Sequence, residues 1–129
     1  MARRKLPLSD RKRERKELDR IWSRIVLERD GRTCQLCGRT GNNPHHVFSR
    51  KHLSTRHDPD NGITLCWACH IHRAHSDYET FRDFIIGRWG QDKYDRMKRR
   101  AYGVKGVDHA LTFIALTQSQ TIFDRKEAR

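Results

Sequence analysis

Leu18, Ile21, Trp22, Ile25 and Val26 recur at spacings of three and four residues. That period places them on one stripe of an amphipathic helix. Ser9 or Asp10 offers an N-cap and Gly31 sits where a C-terminal stop belongs, so the spacing predicts a helix from about Ser9 to Asp30. Only its second half carries the stripe. The first half projects Arg11, Lys12, Arg13, Arg15 and Lys16, which either grip phosphates or solvate a fraying helix end. Further on, His45 to Phe48 reads as a short strand. Ile63 to Leu65 reads as its return, entered through Asn61-Gly62. Residues 49–60 between them are polar and rich in Arg and His, a loop signal. A helix is expected to begin at Cys69. Ser76-Asp77-Tyr78-Glu79 then has the spacing of a capping box, which predicts a new helix from Asp77. Phe81, Phe84, Ile85 and Trp89 form its apolar stripe, Gly90 breaks it, and Tyr94, Met97 and Ala101 stripe another helix. Near the C-terminus Leu111, Ile114, Ala115 and Ile122 fit a helix face, while Leu111, Phe113 and Ala115 also fit strand alternation; helix is the preferred reading.

Composition narrows this picture. With 129 residues and 35% hydrophobic side chains, the chain has room for one domain with a small core. Such a core usually needs a staple, and a structural metal is one of the standard ones. No apolar run is long enough for a membrane span. The basic N-terminus is not followed by an apolar stretch, so no secretory signal is expected and the anticipated location is cytoplasmic. The predicted organisation is a basic arm over residues 1–17, a folded domain over 18–106 and an extension over 107–129. A formal net charge of +12 draws the chain toward a polyanion, most plausibly nucleic acid.

The chemistry concentrates between Cys34 and His75. Cys34-x2-Cys37 and Cys66-x2-Cys69 are two tight knuckles, each presenting two thiolates. Paired in this way, in a chain without a secretory signal, they read as one closed tetrahedral Zn²⁺ site rather than disulfides. That quartet is complete in sulfur, which leaves His45, His46, His70, His72 and His75 over. Adjacent residues of a strand face opposite ways, so His45 and His46 are not expected to do the same work. One can hold a cation while the other moves a proton, a division that suits phosphodiester hydrolysis.

His46, Asn61 and His70, set in His45-His46-Val47 and Asn61-Gly62-Ile63-Thr64-Leu65-Cys66-x2-Cys69-His70, resemble the H-N-H trio of the cysteine-flanked HNH endonucleases. The resemblance spans about residues 18 to 102. It implies an α+β, mostly helical fold: a ββα-metal finger stapled by zinc knuckles, flanked by an N-terminal helix and C-terminal helices. It also implies His46 as general base and Asn61 as the residue that orients it through the loop backbone. His45 and His70 would be ligands of a catalytic cation, Mg²⁺ or another dication such as Mn²⁺ or Ni²⁺. Many relatives place a further His four residues after the His70 position, where this chain has Ala74. On a continuous helix His75 would lie about 140° around from His70. The preferred third ligand is nevertheless His75, reached if the helix ends near Ala74; His72 is the alternative. Thr55-Arg56-His57-Asp58-Pro59-Asp60-Asn61 and the helical tail are similar to phage recombination nucleases, which implies a phage or prophage origin in a bacterial host cell and DNA as partner, with a branched-DNA resolving nuclease as the narrower alternative.

Arginine suits phosphate contact and neutralisation of transition-state charge. Arg56, nearest to Asn61, is the preferred candidate for that part, with Arg50, Lys51, Arg11, Lys12 and Arg13 as further phosphate contacts. Asp58 and Asp60 belong to a run of turn formers and are read as turn residues. The rival reading is a non-catalytic zinc module that binds nucleic acid through its basic face.

Overall fold

A computed structural model describes residues 8–103 and 111–118. Helix α1 spans Leu8–Arg29 and buries the predicted stripe: Leu18, Ile21, Trp22, Ile25 and Val26 are all enclosed. Its end is a Schellman turn. The Arg32 N–H donates to Leu27 O at 2.9 Å and the Gly31 N–H to Glu28 O at 3.1 Å. Gly31 takes φ +61°, the left-handed conformation that glycine adopts at least cost.

Strands β1 (Asn43–His46) and β2 (Gly62–Leu65) form an antiparallel pair, with His45 opposite Ile63 and His46 opposite Gly62. β1 begins and ends two residues before the expected strand. Beyond His46 the Val47 and Phe48 N–H groups bond Asn61 instead, one to its backbone oxygen and one to its side chain, and the ladder stops. The segment between the strands is more ordered than its polarity suggested. It contains the short helix α2 (Leu53–Arg56) and a 3₁₀ turn at Pro59–Asn61. The Asp58 carboxylate caps that turn by accepting the Asp60 N–H at 2.9 Å, the turn role expected of it.

Helix α3 (Trp67–Cys69) starts two residues before the expected point and continues as a π turn over His70–His75. Helices α4 (Tyr78–Trp89) and α5 (Gln91–Gly103) follow, separated at Gly90, whose φ is +85°. The expected capping box is not made: Asp77 is the N-cap and its side chain caps nothing. The Ser76 hydroxyl instead donates to Ile71 O at 3.0 Å, satisfying a carbonyl of the π turn. Phe81, Ile85, Tyr94, Met97 and Ala101 pack with Phe48, Ile63 and Leu65 into one core cluster.

Residues 111–118 form a helix, α6, in line with the preferred reading of this region. Its inward face differs from the expected one. Leu116 is buried against the α1 stripe, whereas Leu111 and Ile114 are exposed, and Ile122 lies outside the described residues. The fold is thus α+β and mostly helical, with a two-stranded hairpin held between α1 and the α3–α5 helices. None of the described helices is long and apolar enough to cross a membrane.

Candidate metal centres and catalytic cleft

The two knuckles meet because β2 leads directly into Cys66 while the turn after α1 carries Cys34. The Gln35 N–H, within the first knuckle, donates to Thr64 O at 3.0 Å and so fixes it to β2. All four cysteines are free thiols, and their Sγ atoms lie within 4.8 Å of one another. The Cys37 and Cys66 sulfurs are 3.6 Å apart. Tetrahedral thiolates at a Zn–S distance of about 2.3 Å would stand about 3.8 Å apart, so the quartet fits zinc. Burial raises the Cys34 thiol, but backbone N–H donors from Cys66, Cys37 and Leu36 outweigh it and bring it down to about 6. Cys69 is pushed up to about 12 by burial and by the sulfurs of Cys66, Cys37 and Cys34. Four ionised thiols at this spacing repel one another, and a dication removes that repulsion.

A second cluster joins His45 of β1 to His70 and His75 at the two ends of the π turn. One ring nitrogen from each lies within 4.8 Å of the others. The Nε2 atoms of His70 and His75 are 3.1 Å apart. Neighbouring ligands of an ion at about 2.1 Å stand about 3 Å apart, so this trio could hold a cation. The winding of the turn makes the pairing. In an α-helix positions i and i+5 diverge, but i→i+5 hydrogen bonding widens the turn until they meet. The chain therefore brings His75 to His70 by π winding rather than by ending the helix at Ala74. His72 is exposed and is not part of the cluster. Burial, and then the charges of His70, His75 and His46, depress His45 to about 3, so its lone pair is free at neutral pH. Burial and His75 likewise lower His70.

His46 faces the other way, toward α1. Its ring stacks on Trp22 with centroids 3.9 Å apart and planes within 8°. Its Nε2 is 2.9 Å from the carbonyl oxygen of Arg56. A carbonyl only accepts, so Nε2 carries the proton and Nδ1 of the neutral ring carries the lone pair. Burial lowers His46 to about 4, outweighing the hydrogen bond to Arg56 O that favours the charged form, and keeps it neutral. His45, His46, His70 and His75 line one open cleft of about 820 Å³ together with Trp22, Ser23, Arg50, Tyr78 and Tyr102.

Asn61 is fully buried behind this cleft. Its Nδ2 donates to Phe48 O at 3.0 Å and to Thr55 O at 3.1 Å, and its Oδ1 accepts the Phe48 N–H at 2.8 Å. It ties the end of β1 to α2, the helix whose last carbonyl holds His46. Arg56 sits differently from the expectation of a phosphate-facing side chain. Its guanidinium makes a two-pronged bond to Asp19 of α1, Nε–Oδ1 at 2.9 Å and Nη2–Oδ2 at 2.7 Å. Arg50 lines the cleft, while Lys51 is exposed beside it. Lys12, Arg13, Arg15 and Lys16 line a groove whose far end is Asp19 and Arg56, and Asp19 also borders the cleft. Arg11 lies on the same helix.

Asp19 and Trp22 are contacts that the sequence reading missed as site residues. Trp22 stood in the apolar stripe and read as core. Asp19 stood beside it with nothing to mark its partners, which lie thirty-seven and thirty-eight residues away. The Trp22 Nε1–H also donates to Asp58 O at 2.8 Å, so α1 holds the loop at Arg56, His57 and Asp58.

Residues 34–76 match the family model of the HNH endonuclease. No curated protein and no solved structure matches the chain.

Proposed function

Proceeding from an HNH endonuclease domain at residues 34–76, we propose that the chain is a metal-dependent DNA endonuclease with His46 as its general base. The observation that carries this reading is the tautomer forced on His46. The Arg56 carbonyl takes its Nε2–H, which leaves Nδ1 as the proton acceptor of a ring that lines the same cleft as the three-histidine cluster. His45, His70 and His75 would hold a cation, which when bound supplies charge to polarise a scissile phosphate and to stabilise the departing oxygen. Three imidazoles with no carboxylate favour a borderline ion such as Zn²⁺ or Ni²⁺ over Mg²⁺.

The chain's own residues do the rest. His46 accepts a proton from the attacking water at Nδ1. Trp22 and the Arg56 carbonyl hold its ring in place, and Asn61 holds the loop that bears that carbonyl. Arg50, at the edge of the cleft, is placed to meet phosphate charge. Arg56 serves through its backbone, with its side chain joined to Asp19. The basic groove of α1 continues from the cleft and would track the phosphates of the same DNA.

The test is cleavage of plasmid DNA by wild type, His46→Ala and His70→Ala across several divalent cations, with zinc content checked in each. His46→Ala should cut at least about 10²-fold more slowly while still binding DNA and cation. His70→Ala should bind the cation more weakly and recover part of its rate at high cation concentration. Wild-type cleavage by His46→Ala would overturn the assigned base. No cleavage by any form with any cation would favour the zinc-stabilised binding module.

A further inference from the structure

Six large hydrophobic or aromatic side chains are exposed among the described residues, and two of them, Tyr78 and Tyr102, line the histidine cleft. Tyr78 opens α4, three residues after His75, and is 53% exposed; Tyr102 lies near the end of α5 and is 63% exposed. The Tyr102 ring does not hang loose. The Tyr102 ring rests on His52, with centroids 4.4 Å apart and planes at 58°. Two exposed aromatic rings therefore open onto the cleft that His45, His46, His70 and His75 line.

We infer that Tyr78 and Tyr102 form a stacking wall for an unpaired nucleobase, so that the cleft takes DNA carrying an unpaired nucleotide beside the phosphate to be cut. The inference rests on the nuclease reading for the act of cutting, though not for the act of binding. An uncharged phenol ring adds little to a duplex, whose bases are already stacked inside and which shows the protein mainly phosphate and sugar. It offers much to a base that has left the stack, because every base has a π-face that an aromatic side chain can cover. A ring already held, as Tyr102 is on His52, loses little freedom on binding, so most of its stacking is kept as affinity. The charge for the backbone of the same strand stands alongside, in Arg50 at the cleft and Lys12 and Lys16 along α1.

The experiment uses the full-length His46→Ala protein, which separates binding from cleavage. The probes are a single-stranded oligonucleotide bearing 2-aminopurine, its matched duplex, and the same duplex with the 2-aminopurine nucleotide unpaired. Fluorescence of the base should be quenched on binding of the single strand and of the unpaired duplex. Tyr78→Leu and Tyr102→Leu should each lower affinity for these two probes by about 10-fold or more, and for the matched duplex by less than about 2-fold. Tyr102→Phe, which keeps the ring, should restore binding. Melting curves check that each variant keeps its fold. Unchanged single-strand affinity in both Leu variants, or an equal loss on all three probes, would overturn the inference. Plasmid cleavage by the wild-type protein is scored separately. Loss of stacking by the Leu variants in a protein that cuts nothing would support the wall and remove the nuclease reading. Full cleavage with unaltered Leu variants would do the reverse.

Discussion

His46 is held by two contacts from two parts of the chain, the Trp22 face on α1 and the Arg56 carbonyl at the end of α2, and Asp19 of α1 holds the Arg56 side chain behind them. Burial opposes ionisation of Asp19, but hydrogen bonds and charge from Arg56 and His57 win and hold its carboxyl below the ordinary carboxylate range. A depressed carboxyl contributes stability that is present above its unfolded pKa, about 3.9, and is lost as pH falls through the lower folded value. Asp19 is partly exposed, so solvent screens the contribution. Asp19→Asn is therefore expected to be less stable than wild type at neutral pH and to lose less further stability from about pH 4 downward. Thermal melts over that range check this, and parallel acid limbs in the two proteins would count against it. Gly62 is the other residue on which this arrangement turns. A Cβ there would stand 2.5 Å from Val26 Cγ2 and 2.6 Å from Trp22 Cζ2. Gly62→Ala should cost about 1–3 kcal/mol by forced repacking, read from urea unfolding. It should also slow cleavage, because the atom it displaces belongs to the ring under His46. A variant as stable as wild type would show that α1 can yield.

At the scale of elements, the π turn decides how the three histidines cluster. The His70–His75 interval is five residues, one more than an α-helix needs to stack two side chains. The wide turn absorbs the extra residue. Deleting the exposed His72 should convert this stretch to an ordinary α turn with the two histidines at i and i+4. Affinity for Zn²⁺ or Ni²⁺ at the cluster should then stay within about tenfold of wild type, equivalent to about 1.4 kcal/mol. Calorimetry of the zinc-loaded proteins measures this. A cluster that no longer binds would mean that the π turn supplies geometry an α turn cannot.

For the whole molecule, zinc and charge set the expectations. Four cysteines join the hairpin to the turn after α1. Structural zinc sites contribute on the order of 10 kcal/mol or more to small domains. Cys66→Ser should consequently lose both the metal and the cooperative thermal transition. A variant that keeps them would refute the shared site. DNA affinity should fall steeply with salt as bound Lys and Arg release counterions. Removing residues 1–16 should flatten that slope if the α1 groove lies along the DNA; an unchanged log-log slope would take α1 out of the binding surface.

The amphipathic stripe from Leu18 to Val26, the paired C-x-x-C knuckles and the His-His, Asn, His order were all legible in the sequence. Each is a local pattern whose period or spacing states its own partners: a helix face, one tetrahedral ion, a hairpin returning to its own loop. The α+β, mostly helical architecture followed from them. The placing of Arg56, the capping at Ser76 and the inward face of α6 were settled only by tertiary structure. In each case a side chain had two outlets of similar local worth, and a distant group decided between them. Asp19, thirty-seven residues away, drew the Arg56 guanidinium from the cleft. A spare carbonyl of the π turn drew the Ser76 hydroxyl from the helix cap. The α1 stripe took Leu116 rather than Leu111. Local propensity carries no information about which groups a folded chain will bring into reach. The cleft is therefore a tertiary product, with His46 stacked on a helix outside the matched segment and two tyrosines from α4 and α5 at its edge.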